Sequence, residues 1–367
     1  MSHTAIRPCG VFCFLPPHVL NSIALKGTDD QRERALRTLG LSQSLSSARI
    51  GFDESNRVMR QSARTRRLTV GNRWSVAATT GQKQRTIYTA NKTQRLPGNR
   101  VRSEGDPDTG DPAVDEAYNY MGITYDFYWD VFNRNSIDDA GLGLNGTVHF
   151  SRDYDNAFWD GQRMIYGDGD GQQFQRFTKS IDVIGHELTH GVTQYEAGLI
   201  YWGQTGALNE SISDVFGSLV KQYSNNETAA QADWLIGQGL FTPSVNGQAI
   251  RSMKAPGTAY DDPVLGKDPQ PAHMRNYVKG LQDNGGVHTN SGIPNHAFYL
   301  TALKIGGKAW ENAGLIWYQT LQSPFLRKGA NFTSFAQLTV AVAQQLFPAG
   351  IEPQAVREGW AEVGIVV

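Results

Sequence analysis

Cysteine is nearly absent from this sequence, which contains only Cys9 and Cys13 among its 367 residues. Because both lie close to the N-terminus, the rest of the chain cannot be held by a disulfide framework. A chain that works outside the cell without disulfides needs another source of stability, and a bound metal ion is one such source.

Long apolar runs are also absent, which argues against a membrane-spanning helix, since such a helix needs about 20 consecutive apolar residues. The N-terminal apolar stretch, from Val11 to Leu15, is too short for the core of a secretory signal peptide, and Pro16 and Pro17 follow it directly. We therefore expect no membrane association, and the export route stays open, with a non-classical route as one option.

The net charge of −1 conceals two regions of opposite charge. Residues 1–73 contain 12 Lys and Arg against 5 Asp and Glu, whereas the remaining residues contain 22 against 30. This asymmetry indicates that the basic N-terminal region can dock on the acidic remainder. We do not expect nucleic-acid binding, because the arginines are scattered and lack interleaved aromatic residues on which bases stack.

The order of secondary-structure signals predicts an α+β fold, with a β-rich half followed by a helical half and a cleft at their junction. Thr28 and Gln31 form a candidate capping box, and residues 42–66 are typical of a connector rich in Ser, Gln and Arg. Strands are predicted at 85–89, 147–151 and 163–166, and helices at 113–133, 180–196, 207–224, 292–304, 308–320, 332–346 and 353–362.

The strongest motif is His186-Glu187-Leu188-Thr189-His190, an H-E-x-x-H sequence in a predicted helix. Histidines four residues apart lie one turn apart on the same face, so both imidazoles can bind one ion. Catalytic zinc usually has three protein ligands and a water, and Glu187 is placed to take a proton from that water. The alternative is a pair of exposed histidines beside a solvated glutamate, but chance gives such a match only about once in a hundred comparable chains.

A third zinc ligand must come from elsewhere in the chain. Position 196 is Glu196, so the third histidine of the metzincin pattern is missing. Glu210 is the better candidate, and Asp214 follows one helical turn later, where it could accept a hydrogen bond from a zinc-bound imidazole. On spacing alone, two carboxylates that solvate an exposed helix explain this pattern equally well.

Several segments closely resemble the thermolysin family of neutral metallopeptidases, in family order and at nearly family spacing. They are Asn-Ala-Phe-Trp-Asp at 156–160, the glycine-rich loop at 167–171, Gly-His-Glu-Leu-Thr-His at 185–190, Ala-Gly-Leu-Ile-Tyr at 197–201, and the segments at 206–214, 251–253 and 283–288. The resemblance runs from about Arg85 to the C-terminus. It implies a secreted, monomeric zinc endopeptidase with a β-rich N-terminal domain, a helical C-terminal domain and one zinc ion in the cleft between them.

The resemblance assigns roles to individual residues. His186, His190 and Glu210 would bind zinc, Asp214 would orient a ligand histidine, and Glu187 would be the general base. His288 and Tyr201 would stabilise the oxyanion, with Asp283 holding His288 protonated. Asn156, the Ala157 carbonyl and Arg251 would bind the substrate main chain. The S1′ pocket would be lined by Phe174, Phe177, Val183, Ile236 and Ile250, which predicts cleavage on the amino side of Leu, Phe, Ile or Val.

The calcium sites of the family are altered in this chain. Asp182 and Asp233 remain, but Lys221 stands where relatives have an acidic ligand, and Leu235 and Gln238 also replace acids. Because an ammonium group can neutralise Asp182 directly, we expect little calcium-dependent stability.

The N-terminal region is short for this family, and Pro-Pro-His-Val-Leu at 16–20 resembles the propeptide of protealysin-type members. Residues 1–70 would then be an inhibitory propeptide, with peptidase domains at 71–195 and 196–367. Maturation is expected between Arg60 and Thr80, before Leu68 or Val70.

Cys13 could deliver a thiolate to zinc as a zymogen latch, although a small buried apolar side chain is the commoner role for such a cysteine.

Two other functions fit part of the pattern. A gluzincin aminopeptidase would need a Gly-x-Met-Glu-Asn-type segment to recognise a free amino terminus, and the sequence has none. A zinc-stabilised binding protein without catalysis would be expected to have lost Glu187 or His288, and both are present.

Overall fold

Six short strands form the sheet of the N-terminal half in the computed structural model, which describes residues 12–45 and 81–367. They are β1 (Phe12–Cys13), β2 (Arg85–Thr89), β3 (Asn99–Ser103), β4 (Leu144–Val148), β5 (Ala157–Trp159) and β6 (Met164–Tyr166), in the order β1-β5-β6-β4-β2-β3. β4 is parallel to β2 and β6, and the other neighbours are antiparallel. The N-terminal strand β1 is therefore the edge strand beside β5.

Helices dominate the chain after residue 180. The helices of the described residues are α1 (Pro17–Lys26), α2 (29–45), α3 (Pro112–Phe132), α4 (Ile181–Tyr195), α5 (Gly203–Asn225), α6 (Asp283–Asn290), α7 (Gly292–Ile305), α8 (Asn312–Gln322), α9 (Phe332–Leu346) and α10 (Glu352–Glu362). Two small antiparallel pairs, β7 (Leu235–Ile236) with β8 (Arg251–Ser252) and β9 (Asp261–Asp262) with β10 (Gly266–Lys267), lie between α5 and α6.

Helix α3 connects the sheet to the helical half. The Asp111 side chain caps its first turn by accepting hydrogen bonds from the backbone N–H groups of Ala113 and Val114. The helix ends at Phe132, and the left-handed conformation of the next residue, Asn133 (φ 51°), is typical of a helix C-terminus. On its buried face, Met121 packs over Gly146 of β4.

Two glycines allow α4 and α5 to cross closely. A Cβ atom on Gly217 would lie 2.4 Å from the carbonyl oxygen of Asp182, and one on Gly185 would lie 3.1 Å from the Cα atom of Gly217. Since a larger side chain at Gly217 would separate the two backbones, glycine at the crossing is what lets side chains of α4 and α5 converge on one point.

Residues 12–45, which we call the N-terminal segment, pack against both halves. Val19, Leu20 and Ile23 of α1 are buried, as are Ala35 and Thr38 of α2. The capping box at the start of α2 is confirmed: the Thr28 N–H donates to Gln31 Oε1 (2.9 Å), and the Gln31 N–H donates to Thr28 Oγ1 (3.3 Å).

The predicted α+β class is confirmed, with a sheet-containing half followed by a helical one. Two local predictions were wrong, and one helix was not predicted. Helix α2 continues to residue 45, so the predicted connector does not begin at 42, and its remainder at 46–66 lies outside the described residues. The strand predicted at 147–151 occupies Leu144–Val148, and α6 was not among the predicted helices. Within the described ranges, no helix combines the length and apolarity needed to cross a membrane.

Candidate active site

Three buried side chains from α4 and α5 converge at the crossing of these helices. The Nε2 atoms of His186 and His190 lie 3.0 Å apart. Glu210 Oε2 is 3.5 Å from His186 Nε2, and Glu210 Oε1 is 3.4 Å from His190 Nε2. The crossing thus brings together the three residues predicted to be metal ligands, and it removes the alternative of a solvated helix, since Glu210 is fully buried.

These separations fit a zinc ion. Ligand atoms about 2.05 Å from a tetrahedral zinc lie about 3.3 Å from one another, close to the three distances observed. Glu210 Oε2 is also buried and has no hydrogen-bond partner among the described residues, although burial of an unsatisfied carboxylate oxygen is costly. A cation between the two imidazoles and this carboxylate would satisfy all three groups.

Neighbouring oxygen atoms orient both imidazole rings. His186 Nδ1 lies 2.8 Å from Asp214 Oδ1, and His190 Nδ1 lies 2.8 Å from Asn209 Oδ1. A carboxylate can only accept, so His186 donates from Nδ1 and presents the lone pair of Nε2 to the cluster. This is the arrangement that metal-binding histidines require. Asn209 was not predicted from the sequence, although it immediately precedes Glu210.

Asp214 joins the histidine cluster to a buried arginine. Its carboxylate accepts hydrogen bonds from Arg251 Nε and Nη2, both at 2.8 Å, and from Asn295 Nδ2 at 2.8 Å. Burial opposes ionisation of Asp214, but Arg251 and His186 outweigh it and hold the pKa of the carboxyl well below its usual range. Asp214 therefore stays charged and fixes Arg251 and His186 relative to each other.

Glu187 lies in the same buried cluster. It forms a group with His186 and His190 in which one ligand-type atom from each residue lies within 4.8 Å of the other two. Glu187 Oε2 accepts a hydrogen bond from the backbone N–H of Trp159 in β5 (2.9 Å). This contact holds the general-base candidate at the floor of the cleft, and Trp159 is a positioning residue that was not predicted.

A second group, carried by α6, faces the histidines from the other side. His288 Nδ1 lies 2.6 Å from Asp283 Oδ1, and the His288 N–H donates to Asp283 Oδ2 (3.0 Å). Burial opposes protonation of His288, but Glu210 and Asp283 outweigh it and raise its pKa to about 9. The Tyr201 hydroxyl donates to Glu210 and lies 3.2 Å from His288 Nε2. The protonated ring of His288 and the hydroxyl of Tyr201 therefore both face the same small region beside Glu210.

An apolar pocket opens beside this region, and the Phe14 side chain fills it. The ring of Phe14 is fully buried and packs edge-on against His186, with centroids 5.4 Å apart, and against Phe177 at 6.5 Å. Its Cζ atom and Ile250 Cγ1 both lie about 3 Å from where a Gly237 Cβ would be. The other predicted pocket residues, Phe174, Val183 and Ile236, are fully buried in the same core cluster.

The residues predicted to bind a substrate main chain all contact the N-terminal segment. Asn156 Oδ1 accepts from the Leu15 N–H (2.9 Å), the Ala157 carbonyl accepts from the Phe14 N–H (3.0 Å), and Arg251 Nη1 donates to the Phe14 carbonyl (3.1 Å). Phe14 was missed because no local sequence pattern shows which residue of an N-terminal region enters a distant pocket.

The Cys13 side chain has the packing role that the sequence favoured over a zinc latch. The Cys13 side chain packs against the apolar cluster of Ala90, Phe150, Tyr154, Phe158 and Ile165, and its sulfur is not part of the group formed by His186, Glu187 and His190. Successive residues of an extended strand point to opposite faces, so Phe14 can enter the pocket only with Cys13 directed away from it. The backbone carbonyl of Cys13, by contrast, lies 2.9 Å from His288 Nε2.

Lys221 occupies an oxygen-rich site between α5 and the β7 region. Its Nζ atom lies 2.8 and 3.0 Å from the two carboxylate oxygens of Asp233, 3.4 Å from the Leu235 carbonyl, and 3.5 Å from both Gln238 Oε1 and Asp182 Oδ2. Burial opposes the charge on Lys221, but Asp182 and Asp233 raise its pKa. The ammonium group of Lys221 therefore lies among carboxylate, carbonyl and amide oxygens, which are the ligand atoms that calcium prefers.

Comparisons with known proteins agree with this geometry. Residues 39–194 match the family model described as the thermolysin metallopeptidase catalytic domain, and residues 197–365 match the thermolysin metallopeptidase alpha-helical domain. An extracellular metalloprotease of Pectobacterium carotovorum subsp. carotovorum is 50% identical over 353 residues, which are 96% of each chain. Protease PrtS of Photorhabdus sp. (strain Az29) is 48% identical over 355 residues, covering 96% of this chain and 92% of its own. The structure of the precursor of protealysin, a metalloproteinase from Serratia proteamaculans, superposes with a TM-score of 0.85 at 50% identity, over 97% of this chain and all of that one.

Proposed function

Since the chain belongs to the thermolysin family and is a metalloendopeptidase, we propose that it is a zinc-dependent zymogen that, once active, cleaves peptide bonds on the amino side of bulky apolar residues. The observation that carries the proposal is the convergence of His186, His190 and Glu210 within 3.0–3.5 Å, with Glu187 in the same buried cluster.

His186, His190 and Glu210 would hold the zinc ion, which when bound lowers the pKa of a water ligand and polarises a carbonyl group. Glu187 accepts a proton from the attacking water and passes it to the nitrogen of the leaving amine. Protonated His288, held by Asp283, donates a hydrogen bond to the oxygen on which negative charge develops, and Tyr201 adds a second donor.

The pocket around Phe14 sets the proposed specificity. A residue entering this space meets apolar side chains, the edge of His186 and the guanidinium of Arg251, whose charge Asp214 already engages. An apolar side chain gains free energy from burial there, whereas a charged one would lose its hydration without compensation. We therefore propose Leu, Phe, Ile or Val at P1′.

The N-terminal segment is the proposed intramolecular inhibitor. It fills the apolar pocket with Phe14, engages Arg251 and Asn156, and covers the cleft with α1. The charge asymmetry contributes at α2, where Arg34 and Arg37 lie 3.9 and 3.5 Å from Asp153 Oδ2. Because these two ion pairs are partly exposed, each contributes little to the free energy of docking. The buried contacts therefore dominate it.

The proposed domain limits are 1–70 for the propeptide, 71–195 for the β-rich domain and 196–367 for the helical domain. The expected maturation site between Arg60 and Thr80, including Leu68 and Val70, lies outside the described residues. We further propose secretion, as for relatives named extracellular metalloproteases, a monomeric active form, and no calcium requirement at the site occupied by Lys221.

The direct test is casein hydrolysis by the zinc-loaded protein after removal of the N-terminal segment, measured beside Glu187→Ala with equal zinc content. We expect activity in the first and a loss of several orders of magnitude in the second. If both are equally inactive with zinc bound, the alternative of a zinc-stabilised binding protein is favoured. A peptide library scanned at P1′ tests specificity, and a preference for charged residues there would contradict the proposed pocket.

A further inference from the structure

The main chain of the N-terminal segment runs through the cleft in a defined direction. Cys13 pairs antiparallel with Phe158 of β5, and the Phe14 N–H continues this pairing by donating to the Ala157 carbonyl (3.0 Å). The Leu15 N–H then donates to Asn156 Oδ1 (2.9 Å). The segment therefore adds to the sheet edge as an extended peptide, with main-chain hydrogen bonds that do not depend on its side chains.

The side-chain and carbonyl contacts define the register of this peptide. The Phe14 ring fills the apolar pocket, and Arg251 Nη1 donates to the Phe14 carbonyl (3.1 Å). One residue earlier, the Cys13 carbonyl lies 2.9 Å from Nε2 of His288, whose Nδ1 faces Asp283. A slip of one residue would turn the Phe14 ring out of the pocket and move the Cys13 carbonyl away from His288, so the two contacts specify one register.

This register places one particular bond at the reacting position. A peptidase that cuts on the amino side of an apolar residue must hold that residue in its pocket and the preceding carbonyl against its oxyanion donor. Phe14 meets the first condition and Cys13 meets the second, and the two conditions are independent of each other. The bond between them is the Cys13–Phe14 peptide bond.

We infer that the Cys13–Phe14 bond is a self-cleavage site, hydrolysed within the same molecule by the active site that it blocks. This inference rests on the proposed function. Water adds a hydroxyl group to the Cys13 carbonyl carbon, the C–N bond breaks, and the Phe14 nitrogen leaves as an amine with the second hydrogen of the water. The products are residues 1–13, ending in a carboxylate, and a chain that begins at Phe14.

Cleavage at this bond does not release the inhibitor. Val19, Leu20 and Ile23 anchor α1, and Ser22 Oγ donates to the Val264 carbonyl (2.8 Å), all on the C-terminal side of the cut. The new N-terminus at Phe14 therefore stays in the pocket, and activity toward added substrates appears only after α1 and α2 are removed. Because enzyme and bond belong to one molecule, the rate of this step does not depend on protein concentration.

The test follows the N-terminus of the full chain after zinc is added, by intact mass and N-terminal sequencing at two protein concentrations that differ about a hundredfold. We expect a species beginning at Phe14 to form with the same first-order rate at both concentrations, before casein hydrolysis begins. In parallel, the enzyme freed of its N-terminal segment is given a synthetic peptide of residues 8–20 under reducing conditions, and we expect a cut between Cys13 and Phe14.

Three variants control for the register. Phe14→Leu should keep the cut, whereas Phe14→Asp should slow it roughly a hundredfold, because a carboxylate is rejected by the apolar pocket. Leu25→Asp makes a similar change at a position of α1 that is 79% exposed, and it should leave the rate unchanged.

A Cys13–Phe14 bond that stays intact in both the full chain and the peptide, while the same preparation hydrolyses casein, overturns the inference and leaves the proposed function standing. A rate that rises with protein concentration overturns cleavage within one molecule. Failure of the zinc-loaded, segment-free protein to hydrolyse casein or any library peptide would instead overturn the proposed function itself.

Discussion

His18 makes docking of the N-terminal segment sensitive to acid. This histidine of α1 is partly buried, and its Nε2 lies 2.9 Å from the hydroxyl of Tyr260. Its Nδ1 is buried without a hydrogen-bond partner among the described residues. Burial is the main factor that lowers the pKa of His18 to about 4; Asp283 opposes the shift, while His288 and Arg251 reinforce it. The docked segment therefore requires a neutral His18.

The size of the effect follows from the difference between the docked and the free pKa. In the undocked segment His18 has its ordinary pKa of 6.5, so the undocked state binds more protons between pH 6.5 and 4, and docking weakens as the pH falls through this range. With a docked pKa of about 4, the docking constant at pH 5 is roughly thirtyfold below its value at pH 7.5, a loss of about 2 kcal/mol. Docking reaches full strength about one pH unit above 6.5, where the free His18 is also neutral.

Hydrogen exchange of the α1 amides measures this loss directly. The Glu187→Ala chain is used so that the segment remains attached, and His18→Gln in the same background is the matched control, since glutamine can still meet Tyr260 but does not titrate. After correction for the intrinsic pH dependence of exchange, protection of α1 should fall about thirtyfold more in the His18 chain than in the control between pH 7.5 and 5. Equal losses in the two chains would show that other groups carry the response and would refute the reasoning.

Three further predictions address the rest of the site. Lys221→Met leaves buried Asp182 facing Asp233 without a cation, so we expect the free energy of unfolding to fall by about 3 kcal/mol and the Tm in calorimetry to fall by roughly 6–12 °C. The control Lys254→Met, at an exposed position, should leave the Tm unchanged. A large drop in wild-type Tm on adding a calcium chelator too weak to strip zinc would contradict this role for Lys221. Asp214→Asn weakens the partner of His186 Nδ1 and Arg251, and zinc affinity in a chelator competition should fall about 10–100-fold; unchanged affinity would mean that the carboxylate does not tune the ligand. His288→Ala removes the proposed oxyanion donor, and kcat should fall about 10²–10³-fold with KM nearly unchanged and zinc retained; a change confined to KM would assign His288 to substrate binding alone.

The candidate metal-binding side of the site was predictable because its spacing is local. The four-residue separation of His186 and His190 places both imidazoles on one helix face, and the same period relates Glu210 to Asp214. The crossing that joins the two helices is tertiary, and it depends on Gly217, which no helical pattern marks as a contact point. Residue spacing therefore identified the candidate ligands. The resemblance to a known family was needed to choose between a ligand role and a solvated position for Glu210.

Helix α6 shows why the opposite side of the site was harder to predict. Asp283, Asn284, Gly285 and Gly286 all have positive φ values, between 51° and 83°, before the chain continues helically through His288. Consecutive glycines are typical of a turn rather than a helix, so no helical pattern marks this segment in the sequence. This unusual start is what directs the Asp283 carboxylate back onto the backbone N–H and the ring of His288.

The position of Phe14 depends on contacts across most of the chain, from Phe177 to Arg251, and local sequence patterns carry no information about them. The same contacts make the proposed inhibition and the proposed substrate recognition one property of the cleft. Asn156, Ala157, Arg251 and His288 hold the N-terminal segment with the groups proposed to hold a substrate, so a substitution that weakens one interaction must weaken the other.

What separates the proposed inhibitor from a substrate is therefore the tether and the anchoring helices, rather than the contacts inside the cleft. Covalent attachment gives the segment an effective concentration on the order of millimolar, which a free peptide of equal affinity does not reach in dilute solution. Buried α1 and α2 add binding energy that no short substrate has, and they retain Phe14 in the pocket whether or not the bond before it is intact. Activation must therefore cut the tether or loosen the anchors of α1 and α2, and a change that loosens them, such as protonation of His18, should open the cleft without altering a catalytic residue.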